Sequence, residues 1–165
     1  MYDNAPIIIY LINWKNTIMK FYTGIGSRET PESVCKQMTE LANHFRTEGY
    51  TLRSGHAEGA DLAFEKGAGF QKEIWIPWKG FNGSFSRLLP SPEAFDMAAK
   101  FHPAWDRCSR GARALHARNC HQVLGADLKT PSEFVICWTR DGKASGGTGQ
   151  AIRIAEHHKI PVKFL

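Results

Sequence analysis

The chain has 165 residues, 42% of them hydrophobic, and a formal charge of +5. That length suits one α/β layer structure, and the basic balance (sequence pI near 9.1) favours anionic partners such as nucleotides or nucleic acid. The four cysteines, Cys35, Cys108, Cys120 and Cys137, form no CxxC pair and no zinc-type spacing, and no run approaches the ~20 apolar residues of a membrane span. A reduced, soluble, cytoplasmic protein without a membrane partner is expected.

Residues 1–18 differ from the rest of the chain: a short apolar run precedes a second methionine, Met19. They read either as an N-terminal extension or as an edge strand over 6–12, with the domain proper spanning 19–165. From there a strand is expected at 20–25, leaving through Gly24 and Gly26 into a helix over about 31–48 that carries Val34, Met38, Leu41, Ala42 and Phe45 on one face. A strand at 50–53, the turn "SGHAEGAD" and a helix repeat the unit, and "KEIWIPW" gives a third strand. The loop "KGFNGSFSRLLPSPEAF" is too long for a simple connection and reads as a lid or ligand-contacting loop. A helical stretch over about 92–124 should break near His102-Pro103, because proline disfavours helical backbone in the residue before it. "EFVICWT" is apolar enough for a central parallel strand, "SGGTGQ" opens another helix, and "PVKFL" closes the chain as a strand. Alternating strands and helices imply right-handed crossovers and a mainly parallel sheet of about five strands.

Each glycine turn alone is weak evidence of ligand binding. In a doubly wound sheet, however, the loops after the strands gather along one edge, so "GIGSR", "SGHAEGAD" and "SGGTGQ" would converge. None ends in Gly-Lys-Ser/Thr, and "GIGSRE" lacks the third glycine and downstream acid of a dinucleotide fingerprint. No redox cofactor is expected. His102, His116 and His121 make no recognisable metal set, so no metal is expected either.

The order and spacing of "TGIGSRETP", "RSGHAEGADLAFEKGA" and "SGGTGQAI" resemble the SLOG superfamily, the Rossmann-like group that includes DprA-like and YspA-like proteins and the LOG phosphoribohydrolases. The resemblance covers about residues 20–165. It implies a doubly wound Rossmann-like fold with helices on both faces. It also implies a nucleotide-derived ligand lying across Gly24, Gly26, Ser27 and Arg28, Ser54 and Gly55, and Gly146, Gly147, Thr148 and Gly149. Backbone amides and hydroxyls suit phosphate oxygens, and Arg28 offers a planar fork, unless it pairs on the surface with Glu29 or Glu32.

In the LOG motif PGGxGTxxE the catalytic glutamate falls on Arg153 here, while Gln150 takes the threonine position. A LOG mechanism therefore does not transfer directly. If the protein cleaves a nucleotide at its N-glycosidic or phosphate end, Glu58 and Asp61 are the candidate carboxylates. Asp61 equally suits the charged first turn of its helix, and Glu58 a solvated loop. Arg110 and Arg113 share one helix side with Arg107 a turn earlier, a stripe able to reach a second phosphate or simply to face solvent.

The first expectation is a sensor or processing protein for a nucleotide-derived small molecule. The alternative is a DprA-like binder of single-stranded DNA, with Trp78, Phe81 and Phe85 able to stack bases. A homo-oligomer is compatible with either.

Overall fold

The computed structural model describes residues 18–165. Both readings of the leader, extension or edge strand at 6–12, fall essentially outside the described residues. Five strands, β1 (Lys20–Gly26), β2 (Tyr50–Ser54), β3 (Lys72–Ile74), β4 (Val135–Trp138) and β5 (Val162–Phe164), form one sheet in the order β3-β2-β1-β4-β5, parallel throughout. Helices α1 (Glu32–Thr47) and α2 (Ala60–Ala68) cover one face, and α3 (Pro92–Phe101), α4 (Arg110–Leu124) and α5 (Gly146–His157) the other. This is the expected doubly wound, Rossmann-like α/β architecture.

The central strand explains the layering. Tyr22, Thr23, Gly24 and Ile25 are all buried, as a strand covered on both faces must be. A Cβ on Gly24 would lie 2.6 Å from the Phe64 ring, so the glycine lets α2 approach the sheet. Met38 and Ala42 close that layer from α1, and Tyr22 stacks on Phe134 at 5.7 Å. On the opposite face Ala117, Cys120, Val123 and Leu124 of α4 pack against Ile152, Ile154 and Ala155 of α5.

One charge is built into the sheet. Arg53 in β2 is 2% exposed; its Nε donates to Glu73 Oε2 at 3.0 Å, its Nη1 to the Thr130 carbonyl at 2.6 Å, and the guanidinium lies 3.8 Å over Phe21. These partners satisfy a cation that the sheet could not otherwise bury.

Two elements differ from the sequence reading. The third strand ends at Ile74 rather than running to Trp78, because the long loop folds back: Trp75 bridges Leu88, and the Ile76 N–H donates to the Leu88 carbonyl at 3.0 Å. The stretch 92–124 breaks at His102, as expected, but the interruption extends through a 3₁₀ turn at Trp105–Arg107 before Ser109 caps α4 through the Ala112 N–H. No helix among the described residues is long and apolar enough to cross a membrane.

Candidate nucleic-acid interface

The neighbouring strands β1 and β4 send their helices to opposite faces of the sheet, so the turns at their carboxyl ends flank the crevice where such folds bind ligands. The first turn is held from inside. Ser27 donates its N–H to the Trp138 carbonyl at 3.1 Å, its Oγ accepts the Glu29 N–H at 3.0 Å, and its carbonyl accepts the Thr30 hydroxyl at 2.6 Å. Gly26 is required by packing, since a Cβ there would meet Ala60 Cβ at 2.6 Å.

Arg28 stands exposed on this turn without an ion pair among the described residues. Both acids that could neutralise it are engaged elsewhere: Glu29 with Arg140 at 2.7 Å, a bridge between the two turns, and Glu32 with Lys36 at 3.5 Å.

Across the crevice, α5 begins at Gly146 in left-handed backbone (φ +61°). Ser145 does not cap the helix; its hydroxyl donates to Asp141 Oδ1 at 2.7 Å, and that bond with the Lys143 N–H holds the Asp141 carboxyl below its ordinary pKa. The leading N–H groups at Gly146, Gly147 and Thr148 have no partner within the helix, which is the general condition of a helix start. Gly146 and Gly147 are exposed, and nothing lies within 4 Å of where their Cβ atoms would be. This helix start suits an anion, and Arg28 is the exposed cation of the adjoining first turn. Gly149 is instead buried, its Cβ position 2.5 Å from the Ala144 carbonyl.

The second turn is built differently. Ser54 is buried and donates to the Gly24 carbonyl at 2.7 Å, while Arg118, 6% exposed on α4, donates through Nη1 to the carbonyls of Gly55 at 2.5 Å and Trp75 at 3.2 Å. Asp61, 3% exposed, accepts the Ala57 N–H at 3.2 Å. Burial pushes its pKa up to about 6, with the Arg118 charge pulling the other way. This turn carries its own carboxylate and cation. Glu58 is exposed at its tip.

The long loop docks on the same edge. Asn82 donates to the His56 carbonyl at 3.2 Å, and Trp78 meets Phe81 edge-to-face at 5.3 Å. The Arg118 guanidinium lies 5.7 Å from the Phe81 ring, and Trp78, 45% exposed, lies against Gly111 at the start of α4. Phe85 is fully exposed, away from that pair, beside Phe70 and Lys72.

The arginine stripe divides. Arg110 is exposed, whereas Arg113 is half-buried, donating to the Trp105 carbonyl at 3.2 Å and stacking on its ring at 5.3 Å.

The chain is similar in fold to a DNA-processing protein. The solved structure is DNA processing protein A from Helicobacter pylori, described for its mode of binding single-stranded DNA, at 17% identity and a TM-score of 0.58. The match covers 90% of this chain and 66% of that one, just under two-thirds of its length. At that identity the likeness shows the fold. No protein-family model matches, and no curated protein matches significantly.

The position where the LOG motif has its glutamate is filled by an arginine with a structural task. Arg153 donates to Gln150 Oε1 at 2.9 Å and to the carbonyls of Phe101 and Ala144 at 3.3 and 3.4 Å, while buried Gln150 donates to the Ala98 carbonyl at 2.9 Å. These contacts fasten α5 to the end of α3.

Sequence reading passed over Asn119. Its Nδ2 donates to the Gly147 carbonyl at 3.0 Å and its Oδ1 accepts from Arg118 Nε at 3.0 Å. The run Arg118–Gln122 held the signal: five consecutive residues cannot all face solvent on a packed helix, and all five are buried here.

Proposed function

We propose that the protein binds single-stranded nucleic acid, DNA in the first instance, along the carboxyl edge of its sheet. The observation that carries this is the pair Arg118 and Asn119. Neighbours on α4, they tie the Trp78–Phe81 aromatic pair and the open start of α5 into one supported surface. A phosphate would occupy the Gly146–Gly147 amides with Arg28, and a neighbouring base would stack on Trp78.

The net charge of +5 and the fold shared with a protein described as binding single-stranded DNA favour the same reading. Under this proposal the SLOG resemblance is one of architecture and phosphate cradle, without the LOG reaction. Glu58 and Asp61 have no cleaving role in this reading: Glu58 is a solvated loop acid, and Asp61, buried beneath its own turn, braces it through the Ala57 N–H.

A second reading keeps the phosphate site but gives it a nucleotide-derived small molecule, which the exposed Gly146–Gly147 helix start would hold through the same amides. Anisotropy of a labelled oligothymidine at low and high salt, beside calorimetric titration of mononucleotides, separates the two. Oligonucleotide binding that weakens steeply with salt is expected. Tight, salt-insensitive mononucleotide binding with no affinity for the oligonucleotide would transfer the site to the second reading.

A further inference from the structure

The connection between α3 and α4 brings together three side chains that no binding role has absorbed. His102 at the end of α3, Cys108 after the Trp105 turn and His116 in α4 offer ligand atoms that all lie within 4.8 Å of one another. Cys108 Sγ lies 3.7 Å from His102 Nδ1, and the two imidazole rings are 4.3 Å apart. His116 Nδ1 is buried without a hydrogen-bond partner among the described residues, a costly state for a ring nitrogen that a metal would relieve. All three residues are half-buried, and His102 lines a cleft of about 480 Å³ together with Trp105 and Arg107.

We propose that His102, Cys108 and His116 form a binding site for a borderline divalent transition-metal ion of the zinc class, with water from the cleft as fourth ligand. Two imidazoles and a thiolate are the donors such an ion takes, and three protein ligands leave one position open. Bonds of about 2.0–2.3 Å set tetrahedral ligand atoms about 3.3–3.7 Å apart, so the Cys108–His102 spacing already fits and small side-chain rotations complete the set.

Binding has identifiable costs. The Cys108 thiol gives up its proton to solvent and its contact with the Ala104 carbonyl, and His102 Nδ1, if it is the ligating atom, releases the Ala104 N–H. The opposing charges nearby are the guanidiniums of Arg153, which faces both histidines, and of Arg118, which faces His116 and is turned to the Gly55 and Trp75 carbonyls. The hydrogen bonds of Arg153 go to Phe101, Ala144 and Gln150, and the thiolate cancels one of the ion's two charges. The ion would clamp the irregular connection between α3 and α4.

The test uses the untagged, reduced full-length chain and cobalt(II) as the probe, with zinc as competitor. One equivalent of cobalt should give a thiolate-to-metal charge-transfer band and intense tetrahedral visible bands, both erased by zinc. The bands should be lost in Cys108→Ser and in His116→Ala and retained in Cys35→Ser. Should the ligand variants fail to fold, the wild type still decides: zinc should slow alkylation of Cys108 and leave that of Cys35 unchanged. Absence of the charge-transfer band, its persistence in Cys108→Ser, or alkylation of Cys108 indifferent to zinc would overturn the site.

Discussion

Asn119 Nδ2 donates to the Gly147 carbonyl at 3.0 Å, fixing the open start of α5 to the same helix turn that holds the second glycine loop through Arg118. Asn119→Ala should therefore weaken oligonucleotide binding although Asn119 itself is buried. The Gly147 carbonyl keeps its intrahelical partner, so the loss is that of one net hydrogen bond, about 0.5–1.5 kcal/mol, together with the acceptor of buried Arg118 Nε, and part of it appears as disorder of the turn. Hydrogen exchange at Gly146–Thr148 should quicken alongside a roughly five- to tenfold rise in Kd; unchanged values in both would separate the latch from binding.

Arg28→Ala should lower oligonucleotide affinity by about 1.5–3 kcal/mol and flatten the salt dependence by about one phosphate contact. Gly147→Val should do comparable damage with little change in stability, because space is open where its side chain would project. Gly24→Val is the contrasting variant. Its side chain enters the Phe64 ring, so thermal melting should show a destabilised fold rather than a selective binding loss.

Trp78→Ala should cost about 1–3 kcal/mol of binding if a base stacks there, with little effect on folding since the ring is 45% exposed. Quenching of tryptophan fluorescence by oligothymidine, diminished in this variant, is the corresponding signal. Undiminished quenching would move the stacking position elsewhere.

Asp61 sets a pH dependence whose sign is fixed by its environment. Burial raises its folded pKa from 3.8 to about 6, and Arg118 spends hydrogen bonds on carbonyls rather than on this carboxylate. Between those values the folded chain holds more protons than the unfolded one. The contribution is therefore fully present below about pH 3.8 and is lost as pH rises through about 6, amounting to roughly 3 kcal/mol. Urea unfolding of wild type and Asp61→Asn at pH 4.5 and 7.5 should show the wild type losing ground to the variant at the higher pH. A gap independent of pH would mean that Asp61 stays ionised throughout.

Arg53→Ala should be among the more damaging single changes, by about 3 kcal/mol, since it removes a buried cation and strands the Thr130 carbonyl and Glu73. Denaturant titration reads this directly. A cost below about 1 kcal/mol would mean that water replaces the lost contacts.

The repeating pattern of apolar segments and glycine turns determined the layered fold, because local periodicity and turn chemistry mark each element wherever it later packs. It also pointed to Arg28 and the Gly146–Gly147 helix start, whose proposed role at a phosphate rests on residue type and position in a turn. Tertiary structure decided which glycines serve the backbone and which serve packing: Gly24 and Gly26 face Phe64 and Ala60, brought in from another segment, and Gly149 faces the Ala144 carbonyl of its own turn. It divided the arginines in the same way, leaving Arg28 exposed while Arg53, Arg118 and Arg153 hold distant carbonyls. A cation's role depends on which acceptors and how much water surround it, and those are supplied by residues far away in the chain. The meeting of His102, Cys108 and His116 has the same origin, a turn between two helices that sequence spacing alone does not reveal.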